Sequence, residues 1–132
     1  MKNLYKTALF LFAITTIALA SCKKDNNAQQ PALRLSVADT GKTLSVAKGQ
    51  TIAITISNPG DGGFTYNAWQ YDATVLHLDS HVYTATANPT LIGDFGKDTW
   101  QFSSLQNGTS ILKLTATQGY TITMFNDHIV VK

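Results

Sequence analysis

Residues 49–66 read GQTIAITISNPGDGGFTY. From Thr51 to Ile56, threonine, isoleucine and alanine fill a run with the period of two that a half-buried β-strand needs. Asn58, Pro59, Gly60, Asp61, Gly62 and Gly63 then end it, because proline removes a backbone donor and glycine admits the positive φ of tight turns. The same alternation returns at residues 33–37, 81–85, 100–102, 111–115 and 128–132. Turn residues separate these runs at 48–49, 88–89, 93–96, 106–108 and 126–127. Seven or eight short strands of this kind imply an all-β fold, an antiparallel immunoglobulin-like β-sandwich, with a small barrel as the alternative. Residues 71–78 read either as a strand or as an extended connection along a sheet edge. Outside the N-terminus nothing carries a helical apolar stripe, and no internal repeat or second domain is apparent.

The N-terminus is of a different kind. Lys2 and Lys6 precede an apolar run, residues 8–19, that only Thr15 and Thr16 interrupt and that leads into Leu19-Ala20-Ser21-Cys22. The run is too short to span a bilayer and has the charged start, apolar middle and small-residue exit of a secretory signal. Leu-Ala-Ser-Cys resembles a bacterial lipobox, which implies cleavage before Cys22 and lipid on its thiol. Cys22 is the only cysteine, so no disulfide within the chain is expected. Residues 23–31 are polar and read as a flexible tether. Lysine directly after the cysteine, by resemblance to lipoproteins of Gram-negative bacteria, points to the outer membrane. The expected organisation is a signal peptide over 1–21, a lipidated cysteine and tether over 22–31, and one folded domain over 32–132.

Charge excludes one class of partner. The chain has ten Lys plus Arg against eight acidic residues. Two of the lysines belong to the signal, so the mature chain has eight of each sign. With neither a basic stripe nor interleaved aromatics, nucleic-acid binding is not expected.

Catalysis is not expected either. All eight acids are aspartates, scattered mainly in turns, where their side chains bond nearby backbone. There is no Gly-x-Ser-x-Gly elbow, and a lipidated Cys22 is no nucleophile. His77 and His81, four apart on a strand, would share a face and could form half of a metal site; together with His128 they read better as surface groups. The expectation is a protein without enzymatic activity, cofactor or metal.

Three loops remain. Asn58 to Phe64 is rich in glycine; Gly93, Asp94, Phe95, Gly96 and Lys97 form a second; Gln118, Gly119 and Tyr120 join two strands as a third. Each combines glycine with an aromatic at or beside its tip, a combination suited to binding faces, since rings supply rigid area and glycines permit close approach. Two strand traversals separate successive loops, so all three should emerge at one end of a sandwich.

In this pattern the chain resembles the chagasin family of cysteine-peptidase inhibitors. The family's first loop, Asn-Pro-Thr-Thr-Gly-Tyr/Phe-x-Trp after a Gly-Gln-x-hydrophobic strand, stands here as Gly49-Gln50-Thr51-Ile52 and then Asn58-Pro59-Gly60-Asp61-Gly62-Gly63-Phe64-Thr65-Tyr66. Its second, Gly-x-Gly-Gly, stands as Gly93-Asp94-Phe95-Gly96, and its Arg-Pro-Trp third loop falls at Gln118-Gly119-Tyr120. The Thr-Thr pair is replaced by Gly-Asp-Gly, and only an aromatic survives in the third loop. The resemblance implies a reversible inhibitor that inserts three loops into the cleft of a papain-like cysteine peptidase; with the lipobox, the expectation is a monomer held to the membrane through Cys22. The alternative is an immunoglobulin-like adhesion or assembly module on the cell surface; a sugar- or metal-binding lipoprotein using Asp94 and Asp98 is a more distant third.

Overall fold

The computed structural model describes residues 32–87, 93 and 95–132. The signal, Cys22, the tether, the turn expected at Asn88-Pro89, and Asp94 lie outside them. Two four-stranded sheets face each other. The first has the order β1 (Leu33–Ser36), β3 (Thr51–Ser57), β6 (Lys97–Ser104), β5 (Leu76–Thr84), and the second β2 (Thr43–Val46), β8 (Tyr120–Val131), β7 (Gly108–Gln118), β4 (Thr65–Tyr66). This is the immunoglobulin-like sandwich expected from the alternating runs. The centre of each sheet is antiparallel, as in β3 with β6 and β7 with β8. One edge of each is parallel, β1 on β3 and β2 on β8, because β2, between β1 and β3 in the chain, belongs to the opposite sheet.

Period two explains the core. Ile52, Ile54 and Ile56 of β3 point inward with Trp100 and Phe102 of β6, and Leu112 and Leu114 of β7 meet them with Phe125, Ile129 and Val131 of β8. Full burial of each large apolar side chain contributes roughly 1.5–3 kcal/mol. Between β4 and β5 the chain crosses from one sheet to the other, and Trp69 on that crossing sets its ring edge-on to Trp100, Phe102 and Phe125 at 5.4, 5.2 and 5.9 Å.

Two local expectations are corrected. Asn126-Asp127 is no turn: both lie within β8, opposite Lys113 and Leu112. Asp127 takes an inward position between Phe125 and Ile129 and is fully buried. One carboxylate oxygen accepts the Lys42 backbone N–H at 2.9 Å; the other is buried with no hydrogen-bond partner. The second correction concerns residues 71–78, which are neither one strand nor one connection. Asp72 makes a turn, its side chain accepting from Thr74 and its carbonyl from Val75 and Leu76, and β5 starts at Leu76.

Burial raises the affinity of Asp127 for a proton, against the pull of the Lys42 and Gly41 backbone amides. A carboxyl that binds its proton more tightly folded than unfolded destabilises the fold while ionised, and that penalty falls as pH drops through the raised value toward the ordinary one near 4. Asp127→Asn keeps the acceptor for Lys42 and removes the charge. It should melt higher than the wild-type protein at pH 7, with the advantage shrinking as thermal scans are taken down to pH 4.

Candidate functional site: three loops at one end of the sandwich

The first loop is held by its own hydrogen bonds. Asn58 caps a short 3-10 turn, Pro59–Gly62, its side-chain oxygen accepting from the Gly60 amide at 2.8 Å. Proline at the first position of the turn has no N–H to leave unpaired. Gly63 closes it in the left-handed region, φ 73°, with its amide donating to Gly60 O at 2.9 Å, a conformation in which side chains are rarely tolerated. The Phe64 amide then returns to the Pro59 carbonyl at 3.3 Å.

The other two loops close on the first. The Asn58 amide donates to the Gly96 carbonyl at 2.9 Å, and the Tyr83 hydroxyl donates to the Phe95 carbonyl at 3.0 Å. The half-exposed Phe95 ring lies beside Gly60, where a β-carbon would stand 3.5 Å from it. The Asp61 carboxylate reaches toward Gly93, 3.3 Å from where a β-carbon would be. From the third loop, the Gln118 side chain lies against Gly63. Tyr120, 63 % exposed, sets its ring at 89° to that of Phe64 with centroids 5.3 Å apart. Boundaries differ from expectation by a residue: Lys97 already pairs with Ser57 and Thr84 as the first residue of β6, and Gln118 and Tyr120 are the paired ends of β7 and β8 around Gly119.

A buried polar cluster lies beneath the first two loops. Asp98, 2 % exposed, accepts the Asn58 side-chain N–H at 2.7 Å and is bonded to His81 Nε2 at 2.7 Å. The His81 ring stacks on Trp100, 4.6 Å between centroids and 7° from parallel. Tyr66 packs edge-on to Trp100 at 5.0 Å and gives its hydroxyl proton to Ser57 O at 3.1 Å. Burial, and then the Asp98 carboxylate, hold that hydroxyl above the ordinary tyrosine range. His81, Trp100, Tyr66 and Trp69 border a groove of about 370 Å³. The expectation that His77 and His81 share a face is overturned, because a β-bulge between Leu78 and Ser80 shifts the register. His77 lies opposite Ser103 and His81 opposite Trp100, on opposite faces of the sheet. Among the described residues no group of metal-ligating side chains gathers. Asp98 enters the sequence reading only as an acid of the distant sugar- or metal-binding alternative; its place beneath the first loop is not anticipated, although its parity with Trp100 and Phe102 in β6 marks it as facing inward.

Comparison with known proteins identifies the family. The family model described as Chagasin family peptidase inhibitor I42 matches residues 45–121, more than half of the chain and all of the three loops. The chain belongs to the chagasin family of peptidase inhibitors, proteins that block peptidases and are not themselves enzymes. No curated protein gives a significant sequence match. Among solved structures, it is similar to the cysteine protease inhibitor EhICP2 from Entamoeba histolytica, at 18 % identity and TM-score 0.64 over 76 % of this chain and 96 % of that one. It is also similar to amebosin, at 21 % identity and TM-score 0.60 over 77 % and 99 %. PbICP-C in complex with falcipain-2 follows at 8 % identity and TM-score 0.52 over 79 % and 92 %. At these identities the likeness is one of fold.

Gly96 is buried at φ 77°, and a β-carbon there would run into the Thr84 carbonyl oxygen. Left-handed strain of ~1–2 kcal/mol for an L-residue adds to that overlap. Gly96→Ala should lower the unfolding free energy by about 2 kcal/mol or more in urea titrations.

Proposed function

We propose that this protein is a reversible inhibitor of papain-like cysteine peptidases and that it enters their active-site cleft with the three loops. The observation that carries the reading is their convergence into one wedge, with Tyr120 and Phe95 exposed on either side of a hydrogen-bonded first loop. Family membership supports it, as does the complex of the similarly folded PbICP-C with falcipain-2.

The wedge suits the chemistry of such a cleft. A papain-like site presents a thiolate beside an imidazolium. The glycine backbone at 60–63 can approach the thiolate closely, and the exposed Asp61 carboxylate can accept a charge-assisted hydrogen bond from the imidazolium. Phe95 and Tyr120 would fill the cleft on either side, as aromatic anchors do. No bond to the enzyme is made or broken, so inhibition is competitive and reversible. A footprint near ~800 Å² per partner is usual for such complexes, and a preformed loop reduces the ordering cost of binding.

Purified residues 23–132, titrated into papain with a small fluorogenic substrate, should inhibit competitively at sub-micromolar concentration. Replacing Gly62 and Gly63 with bulky residues should abolish inhibition, and Tyr120→Ala should weaken it about tenfold or more. No inhibition at tens of micromolar across papain and related peptidases would reject this reading in favour of an adhesion or assembly module.

The same proposal covers location. Processing before Cys22, with lipid on its thiol and residues 23–31 as spacer, would hold the inhibitor at the outer membrane of a Gram-negative envelope. Radiolabelled palmitate should enter the wild-type protein in a bacterial host and be absent from Cys22→Ala, which should be released in soluble form.

A further inference from the structure

We infer that Asp98, itself held by His81, is the positioning residue that fixes the shape of the first inhibitory loop; the role, though not the contacts, rests on the inhibitor reading above. The contacts form a continuous path. His81 on β5 stacks on Trp100 and bonds one oxygen of Asp98 at 2.7 Å. The other oxygen accepts Asn58 Nδ2–H at 2.7 Å, and Asn58 Oδ1 accepts the Gly60 amide at 2.8 Å. One side chain, Asn58, therefore joins the buried carboxylate to the backbone of the loop.

The path has a direction. Asp98 and Trp100 are anchored in β6, a central strand, and are almost wholly buried, whereas Pro59–Gly62 is a single turn containing two glycines with no buried residue. An Asn N-cap orients a turn through its side-chain oxygen, and here that side chain is itself held, through its amide N–H, by an acceptor-only carboxylate. Without Asp98 the Asn58 side chain can rotate away and release Gly60. His81 completes the arrangement, since an unpaired carboxylate at that depth would be costly. It is 46 % exposed through its side chain, so this support is open to solvent on the groove side.

Exchanging donor and acceptor tests the contact. Asn58→Asp alone keeps the oxygen that accepts from Gly60 and brings a second carboxylate against Asp98, which repels it. Adding Asp98→Asn rebuilds the bond in reverse: the new amide donates to the new carboxylate, and its oxygen still accepts from His81. With Ki measured well below the melting temperature of each folded variant, Asn58→Asp should weaken inhibition about tenfold or more, and the pair should recover to within about threefold of wild type, the coupling expected of residues in contact. A residue that served stability alone would move the melting temperature without this loss and rescue in Ki. His81→Phe, which keeps a ring against Trp100, should weaken inhibition severalfold, and an unchanged Ki would remove His81 from the path. Equal Ki for Asn58→Asp and wild type, or no recovery in the pair, would overturn the inference. Should the wild-type domain fail to inhibit any peptidase, the inhibitor reading falls, and the Gly60 amide proton resonance still decides the contact. It should shift in Asn58→Asp and return in the pair; a resonance that stays in place throughout would refute the path.

Discussion

The closing of the two sheets around Trp69 is the constraint on which the loop geometry depends. The chain leaves one sheet at the end of β3, passes through the first loop to β4 in the other sheet, and returns to the first along residues 67–75 before β5. Trp69 rides on this return and contacts rings of both sheets, Trp100 and Phe102 on one side and Phe125 on the other. Edge-to-face ring pairs each add roughly 0.5–1.5 kcal/mol beyond the area they bury. The indole N–H is buried with no hydrogen-bond partner, a cost of about 1–3 kcal/mol that this aromatic contact must outweigh. Because β4 is only Thr65–Tyr66 and pairs with the far end of β7, the place where the chain crosses determines where the first loop meets the third.

Stiffness in the loop end thus comes from below. Asp98, Trp100 and Tyr66 occupy the last inward positions of the sandwich before the loops begin. The first loop rests on this floor through Asn58 and is joined to the second through the Gly96 carbonyl. The third meets the first through side chains, Gln118 against Gly63 and Tyr120 against Phe64. The third is itself a tight hairpin, closed by the pairing of Gln118 with Tyr120 and of Thr117 with Thr121.

How far the fold was legible varies with what decides each element. The alternation at 51–56, 100–102 and 111–115 appears in β3, β6 and β7 because these central strands bury one full face, and burial is what period two records. Asn126-Asp127 carries a strong turn composition and still lies mid-strand, since pairing with Leu112 and Lys113 and a hydrogen bond from Lys42, 85 residues away, outweigh a local preference. β2 and β4 went unread as short edge strands defined by distant partners. The histidine pair shows a sharper limit: counting parity along residues 77–81 is sound only for a regular strand, and the bulge at Asp79 that breaks it depends on the facing register, which no local pattern encodes. The site was more legible than the edges. Turn chemistry marked all three loops, but the carboxylate that supports the first lies in a strand 40 residues on.

The glycines of the first two loops can now be given a physical reason. Glycine in an ordered segment loses about 0.5–1 kcal/mol more conformational freedom than alanine, so a loop with glycine at 60, 62 and 63 would seem badly suited to a rigid wedge. The contacts argue otherwise. Gly63 is required by its left-handed φ and by the Gln118 side chain against it, Gly60 by the Asn58 oxygen 2.8 Å from where a β-carbon would stand, and Gly96 by the Thr84 carbonyl. At these positions a side chain would occupy space that a neighbouring loop or the capping residue already fills. Glycine here lets segments from different strands pack edge to edge, and the entropy it costs is offset by the caps at Asn58 and Gly63. The rigidity of the Gly-Asp-Gly segment thus comes from hydrogen bonds that anchor it from the sheet beneath, Asn58 to Asp98 and Gly60 to Asn58.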